Sequence, residues 1–274
     1  MTEQQFEDCK KCLNRKRGSN YKEDICNIKG KKLDFENTCR DFQLDNSVVS
    51  GVDNKINAIK PNQKRAKLAE IFIWAVMAID IIAIFSSYLQ YNLLIDFQNN
   101  EFVTDEMLES NDLREILVAY LYLVVFIISA VTFIQWFRRA YYNLNIRTNC
   151  DNSEGWAAGS WFVPIISLYR PYQIMKEMES KSTQLINSKT SEQKKISTVT
   201  IGIWWALWII SNYVGSFLFK SAFKEETVQN FINATLGDIV LSLIGIPLAI
   251  VTVSMIKSYS KKEKELFKLE KIEV

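Results

Sequence analysis

Four long stretches of this chain carry almost no charge. Leu68–Tyr91 is apolar apart from Glu70 near its start and Asp80, and Thr235–Ile256 is uncharged after Asp238. Ile116–Phe137 and Thr198–Phe219 contain no charged residue. An α-helix rises about 1.5 Å per residue, so roughly 20 residues cross a hydrocarbon core. Soluble helices of that length keep a polar face, and these do not. The pattern predicts an all-α membrane protein with four transmembrane helices.

A fifth stretch, Trp156–Met175, is aromatic and apolar but is interrupted by Pro164, Arg170 and Pro171. Each proline removes a backbone donor and disfavours helical geometry in the residue before it. Charge decides whether this stretch spans. Lys55, Lys60, Lys64, Arg65 and Lys67 precede span one, whereas the loop Asn92–Leu113 has six acids and no Lys or Arg. Span two ends in Arg138-Arg139, and the connector to span three adds Arg147, Lys176, Lys181, Lys189, Lys194 and Lys195. After span three, Lys220 and Lys224 are offset by Glu225 and Glu226, and the C-terminal tail is lysine-rich again. The positive-inside rule then puts both termini and the connector in the cytoplasm. A fifth full span would place the basic ends on opposite sides. Residues 156–175 are therefore expected to form a cytoplasmic-side interfacial or re-entrant segment. Trp74, Trp136 and Trp204 near span ends, with Trp156 and Trp161 in the connector, are expected at headgroup level.

The overall charge of +2 gives no attraction to nucleic acid. Histidine is absent, which removes His-based triads, HExxH metalloprotease chemistry and histidine proton relays. The first residues have neither a basic n-region nor an apolar h-region, so no cleavable signal is expected and span one drives insertion.

Residues 1–45 differ in composition. They are polar and hold four of the five cysteines, Cys9, Cys12, Cys26 and Cys39. A C-x2-C turn can place two thiolates on one tetrahedral ion, and Gly18 and Gly30 offer turns that return the later cysteines. So short a segment buries too little core to fold alone, and a metal would supply the missing energy. Zinc is the expected ion. Reduced structural thiols, a disulfide pair and a redox role are the alternatives, and a reducing cytoplasm argues against the disulfide. The chain thus divides into a cysteine module (1–45), a polar linker (46–66), a transmembrane domain (67–257) and a charged tail (258–274). The tail is expected to continue span four as a solvated helix.

Two stretches have a familiar form: Gln135-Trp-Phe-Arg-Arg-Ala-Tyr-Tyr-Asn-Leu144, and Gly155-Trp-Ala-Ala-Gly-Ser-Trp-Phe-Val-Pro-Ile continuing through Leu168-Tyr-Arg-Pro-Tyr-Gln-Ile-Met-Lys-Glu177. Together they resemble the bacterial membrane family known as domain of unknown function 4328, over roughly residues 65–260. Cys9–Phe42 resembles a small cysteine-rich, zinc-ribbon-like prefix of some bacterial membrane proteins. The resemblance implies a multi-pass protein of the bacterial inner membrane and no particular activity.

Few residues carry candidate chemistry. Asp80 lies near the middle of span one, at a depth similar to Asn212 in span three, so the two are candidates for a hydrogen bond or a polar pathway. Helix-to-helix glue is the plainer role for such an Asp. Arg138, Arg139 and Arg170 are candidates for an anionic lipid headgroup, against a simpler part in fixing topology. Pro247 frees the carbonyl of Leu243 inside span four. No phosphate loop, nucleophile elbow or paired-acid motif occurs. The leading expectation is a non-enzymatic membrane protein with a cytoplasmic metal-binding interaction or regulatory module, membrane lipids around it and a cytoplasmic protein partner. The alternatives are a small transporter or channel passing Asp80 and Asn212, and a lipid-binding or lipid-modifying protein.

Overall fold

The computed structural model describes residues 3–16, 25–28, 39–45, 58–191, 193–221 and 227–272. Gly18 and Gly30, most of the linker, and Lys224, Glu225 and Glu226 lie outside the described residues. The chain forms two compact units, residues 1–59 with 270–274, and residues 60–269. The described elements are helical: α1 (Glu3–Lys10), α2 (Gln63–Gln98), α3 (Asp105–Arg147), α4 (Glu154–Gly159), α5 (Arg170–Lys189), α6 (Val199–Ser221) and α7 (Val228–Ile272), with a 3-10 turn at Ile166–Leu168.

Helices α2, α3, α6 and α7 are each long and apolar enough to cross a membrane, and each encloses a predicted span to within one residue. The protein is a multi-pass membrane protein. Only 11% of the most apolar window of α3, and 11% of that of α6, is buried inside the protein. Their remaining apolar surface, including Leu117, Tyr120, Tyr213 and Phe217, is exposed by the fold and has lipid as its natural solvent.

Three of the four helices overshoot their apolar runs. α3 has 43 residues, roughly 65 Å at the helical rise, against a hydrocarbon core of about 30 Å. Local chemistry sustains the extra turns. Thr104 caps the N-terminus by accepting from the Met107 amide, and Asp105 and Glu106 face the positive end of the helix dipole. α2 stops at a Schellman turn. Asn100 takes the left-handed conformation at φ 58°, its amide donates to the Phe97 carbonyl at 3.3 Å, and that of Glu101 donates to Asp96 at 2.9 Å.

The buried core is concentrated at the basic ends of the spans. It joins Ala69 and Ile73 of α2, Trp136 and Phe137 of α3, and Val253 and Ile256 of α7. The tail expected to be solvated is instead half embedded. α7 continues span four to Ile272, but Tyr259 and Leu266 are each 2% exposed. The Lys and Glu pattern of the tail hides an apolar stripe one helical face wide.

The stretch 156–175 is broken where its prolines require. α4 has six residues, the chain turns through Pro164, and α5 begins at Arg170 with Pro171 in its first turn, where a missing amide costs nothing. Phe162 and Ile165, on either side of the Pro164 turn, are 75% and 76% exposed. Trp161 points the other way. It packs edge-on against Phe133, Phe137 and Trp208, with ring centroids 5.7, 6.1 and 5.7 Å away. Trp136 and Trp204 are 0% and 2% exposed in the same aromatic cluster. These three indoles are core side chains, whereas Trp74 and Trp156, of the same expected set, are 37% and 39% exposed. Contact between helices decided this, because an indole inside a packed cluster gains more dispersion than one in lipid.

Candidate functional site

Two polar clasps close the basic end of the bundle. The first centres on Glu177 of α5, whose side chain is 8% exposed. Tyr141 of α3 donates its hydroxyl to Glu177 Oε2 at 2.7 Å. Glu177 Oε1 accepts from the Asp151 amide at 2.7 Å and from Lys181 Nζ at 2.5 Å. Lys181 also donates to Asp151 Oδ1 at 3.0 Å and to the Asn149 carbonyl at 2.7 Å. The Tyr141 oxygen accepts in turn from the Asn152 amide at 3.1 Å. Burial alone would lower the Lys181 ammonium. Its hydrogen bonds to Glu177 and Asp151 and their charges more than offset this, so its pKa lies above the usual lysine value. Burial, then the charge of Glu177, push the neighbouring Cys150 thiol up to about 11. A thiol so placed is protonated at neutral pH and is a poor nucleophile.

The second clasp centres on Glu263 of α7. Asn143, 1% exposed, donates to Glu263 Oε1 at 2.5 Å and to the Lys60 carbonyl at 2.8 Å. Its own oxygen accepts from the Lys60 amide at 3.0 Å. Asn62 donates to Glu263 Oε2 at 3.3 Å. Close by, Lys262 pairs with Glu179 and donates to Thr183 at 2.9 Å, and Lys194 pairs with Glu265. The α7 extension, α5, the end of α3 and the entry to α2 are thus held by buried or half-buried polar contacts. The sequence offered one readable signal, the i,i+4 spacing of Glu177 and Lys181. Glu263 looked like any other acid of a Lys- and Glu-rich tail.

The intramembrane pair is not formed. Asp80 is 2% exposed and its Oδ2 has no hydrogen-bond partner. Asn212 is exposed and donates to the Trp208 carbonyl of its own helix at 2.7 Å. Equal depth along two helices leaves their rotation undetermined, and here Asn212 turns away from Asp80. What Asp80 does meet is Gly245 of α7, where an added Cβ would lie 2.6 Å from Oδ2. Gly245→Ala is therefore expected to destabilise the protein by about 1–3 kcal/mol through overpacking. Thermal unfolding in detergent reads this, and Asp80→Ala should relieve much of the cost. An unchanged midpoint in the single variant would remove the contact.

Arg170 engages other partners than Arg138 and Arg139. Arg138 faces Glu154 at 3.7 Å, and Arg139 lies over the Tyr142 ring at 5.8 Å. Arg170 donates to Asn152 Oδ1 at 2.8 Å and stacks on Tyr169 and Trp156 at 5.5 and 5.9 Å. No described contact joins Arg170 to the other two.

In the first unit, backbone pairing folds the cysteine segment on itself. The Cys12 amide turns back to the Cys9 carbonyl at 3.2 Å. Antiparallel bridges join Cys12 to Leu44 and Arg15 to Cys26, and the Phe42 amide turns back to Cys39 at 3.2 Å. All four cysteines line one pocket together with Asp8 and Asp41. Burial, then Cys26, Cys12 and Cys39, push the Cys9 thiol up to about 11. Four sulfurs are the donor set of a tetrahedral zinc site, so the residues fit in kind. Among the described residues, no group of three or more His, Cys, Asp or Glu is already drawn in to ion-holding geometry.

The family described as Domain of unknown function (DUF4328) matches residues 99–261. The chain belongs to this family. The DUF4328 region begins after α2 and carries Tyr141, Asn143, Glu177 and Lys181, together with most of the aromatic cluster. Asp80, Glu263 and the cysteine module lie outside it, as does the part of the expected likeness between residues 65 and 98. Comparison with curated proteins and with solved structures gives no match.

Proposed function

We propose that this DUF4328 protein is a non-enzymatic protein of the bacterial inner membrane whose cytoplasmic cysteine module binds zinc and mediates contact with a cytoplasmic partner. The observation that carries this reading is the convergence of Cys9, Cys12, Cys26 and Cys39 on one pocket. Backbone turns at Cys9–Cys12 and Cys39–Phe42 supply the knuckles that tetrahedral sites use. The thiols would hold the ion, and the ion would tie together a segment whose buried cluster among the described residues is Phe6, Cys9 and Ile25. The lysine and arginine distribution supports cytoplasmic termini. The exposed Phe162 and Ile165 beside Pro164 support a connector lying in, or re-entering from, the cytoplasmic interface, in contact with membrane lipids.

Metal analysis of full-length protein purified in detergent tests the reading. About one zinc ion per chain is expected, and Cys12→Ser or Cys39→Ser should each lose most of it. A metal-free protein whose truncation before residue 46 changes nothing in the cell would sink it.

A second reading rests on Asp80, buried with an unpartnered carboxyl oxygen. A carboxyl at membrane depth suits a transport pathway. Asp80→Asn would then abolish flux in liposomes while leaving assembly intact, whereas a loss of stability alone favours helix glue.

A further inference from the structure

The arginines at the basic end regroup in a way that their order in the chain does not suggest. Arg65 of α2 reaches across to α3 and donates Nη1 to the Gln135 carbonyl at 3.2 Å. Residues three and four positions on from Gln135 share its helix face, and these are Arg138 and Arg139. The Arg65 guanidinium is close enough to both to feel their charge. Lys60 adds a fourth cation, 4.8 Å over the Tyr142 ring that Arg139 also faces. Against these stand two carboxylates, Glu154, 3.7 Å from Arg138 and itself 40% exposed, and Glu263, which feels the charge of Arg139 but is already held by Asn143 and Asn62. No described carboxylate lies within 4 Å of Arg65 or Arg139. Like charges repel when gathered, and the arrangement is relieved by an anion between them.

We propose that Arg65, Arg138 and Arg139 form a binding site for the phosphate of an anionic lipid headgroup. The site deepens the lipid contact suggested above and does not depend on the metal. Its height supports the assignment, because Arg65 stands three residues before span one and Arg138 directly follows the last residue of span two. Guanidinium groups match phosphate oxygens two at a time, and a headgroup at that depth is held from both helices. Arg170 is excluded from the site. Asn152, Tyr169 and Trp156 already engage its guanidinium.

The test uses full-length protein in mixed micelles of phosphatidylglycerol and phosphatidylcholine, with retained lipid counted by native mass spectrometry. Wild type should retain phosphatidylglycerol preferentially. Arg65→Gln, Arg138→Gln and Arg139→Gln should each lower that preference about fivefold. Arg170→Gln should leave it unchanged. Arg139→Lys keeps the charge and should restore part of the loss, a rescue that a purely structural role would not show. Millimolar inorganic phosphate provides the second arm. Retention that persists in phosphate supports a lipid source, and displacement supports a site filled by free phosphate. Equal retention of the two lipids by wild type, or a preference that survives in all three Arg→Gln variants, overturns the proposal.

Discussion

Replacing Glu177 with alanine is expected to destabilise the protein by about 3–5 kcal/mol, the cost of breaking a buried, hydrogen-bonded charge pair from one side. The size follows from what the carboxylate holds. The Tyr141 hydroxyl, the Asp151 amide and the Lys181 ammonium all donate to it. Without it, each buried donor loses a partner at about 1–3 kcal/mol when nothing replaces it. Glu177→Gln should cost less, since an amide oxygen still accepts from Tyr141 or Asp151. Unfolding in mixed micelles measures the stability, and a loss under about 0.5 kcal/mol, the scatter of ordinary surface substitutions, refutes the clasp. Cys150 gives an independent readout. Its thiol is held up at about 11 first by burial and next by Glu177. Thiolate is the reactive form, so alkylation should accelerate as pH rises towards that value in wild type. Removing the carboxylate removes a charge that raises this pKa. In a chain where Cys150 is the only cysteine, Glu177→Ala should therefore react faster at a fixed mildly alkaline pH.

The second large effect is expected at Trp161. Its ring lies between Phe133 and Phe137 of α3 and Trp204, Trp205 and Trp208 of α6, with all five centroids within 6.3 Å. Apart from Trp161, the aromatic contact joining α3 to α6 among the described residues is Phe133 with Trp204 at 6.2 Å. Trp161→Ala should cost about 3–5 kcal/mol, as large-to-small changes in packed aromatic cores do. Lipid is as apolar as the cavity left behind, so the loss is one of packing. Near-ultraviolet circular dichroism should report it as well, because the stacked pair Trp205 and Trp208, 4.6 Å apart, abuts the same indole. Trp161→Phe should keep part of the signal and part of the stability. If the alanine variant melts with wild type and keeps its dichroism, Trp161 does not anchor the connector to the spans.

Both predictions concern the joint between spans and connector, and both rest on residues whose importance is not visible locally. Glu177 sits in a stretch rich in charge, and only its fourfold spacing from Lys181 marks it. Trp161 reads as an interfacial indole until Phe133 and Trp204 are brought beside it. Glu263 is one of several acids alternating with lysines, and its pairing with Asn143 crosses 120 residues.

The four spans were legible because hydropathy is a property of each segment alone. A run such as Ile116–Phe137 prefers lipid whatever its neighbours do. The break in the connector was legible for the same local reason, since Pro164 and Pro171 act on their own backbone. The family was readable from two short stretches. Rotation and partnership were not readable. A helix that is apolar all round carries no periodicity to say which face meets protein, so neither the meeting of Asp80 with Gly245 nor the outward turn of Asn212 has a local signature. The burial of Tyr259, the inward turn of Trp136 and the reach of Arg65 to the Gln135 carbonyl are pairwise events between distant segments. Such contacts are settled by packing between helices already in place, and only the tertiary structure decides them.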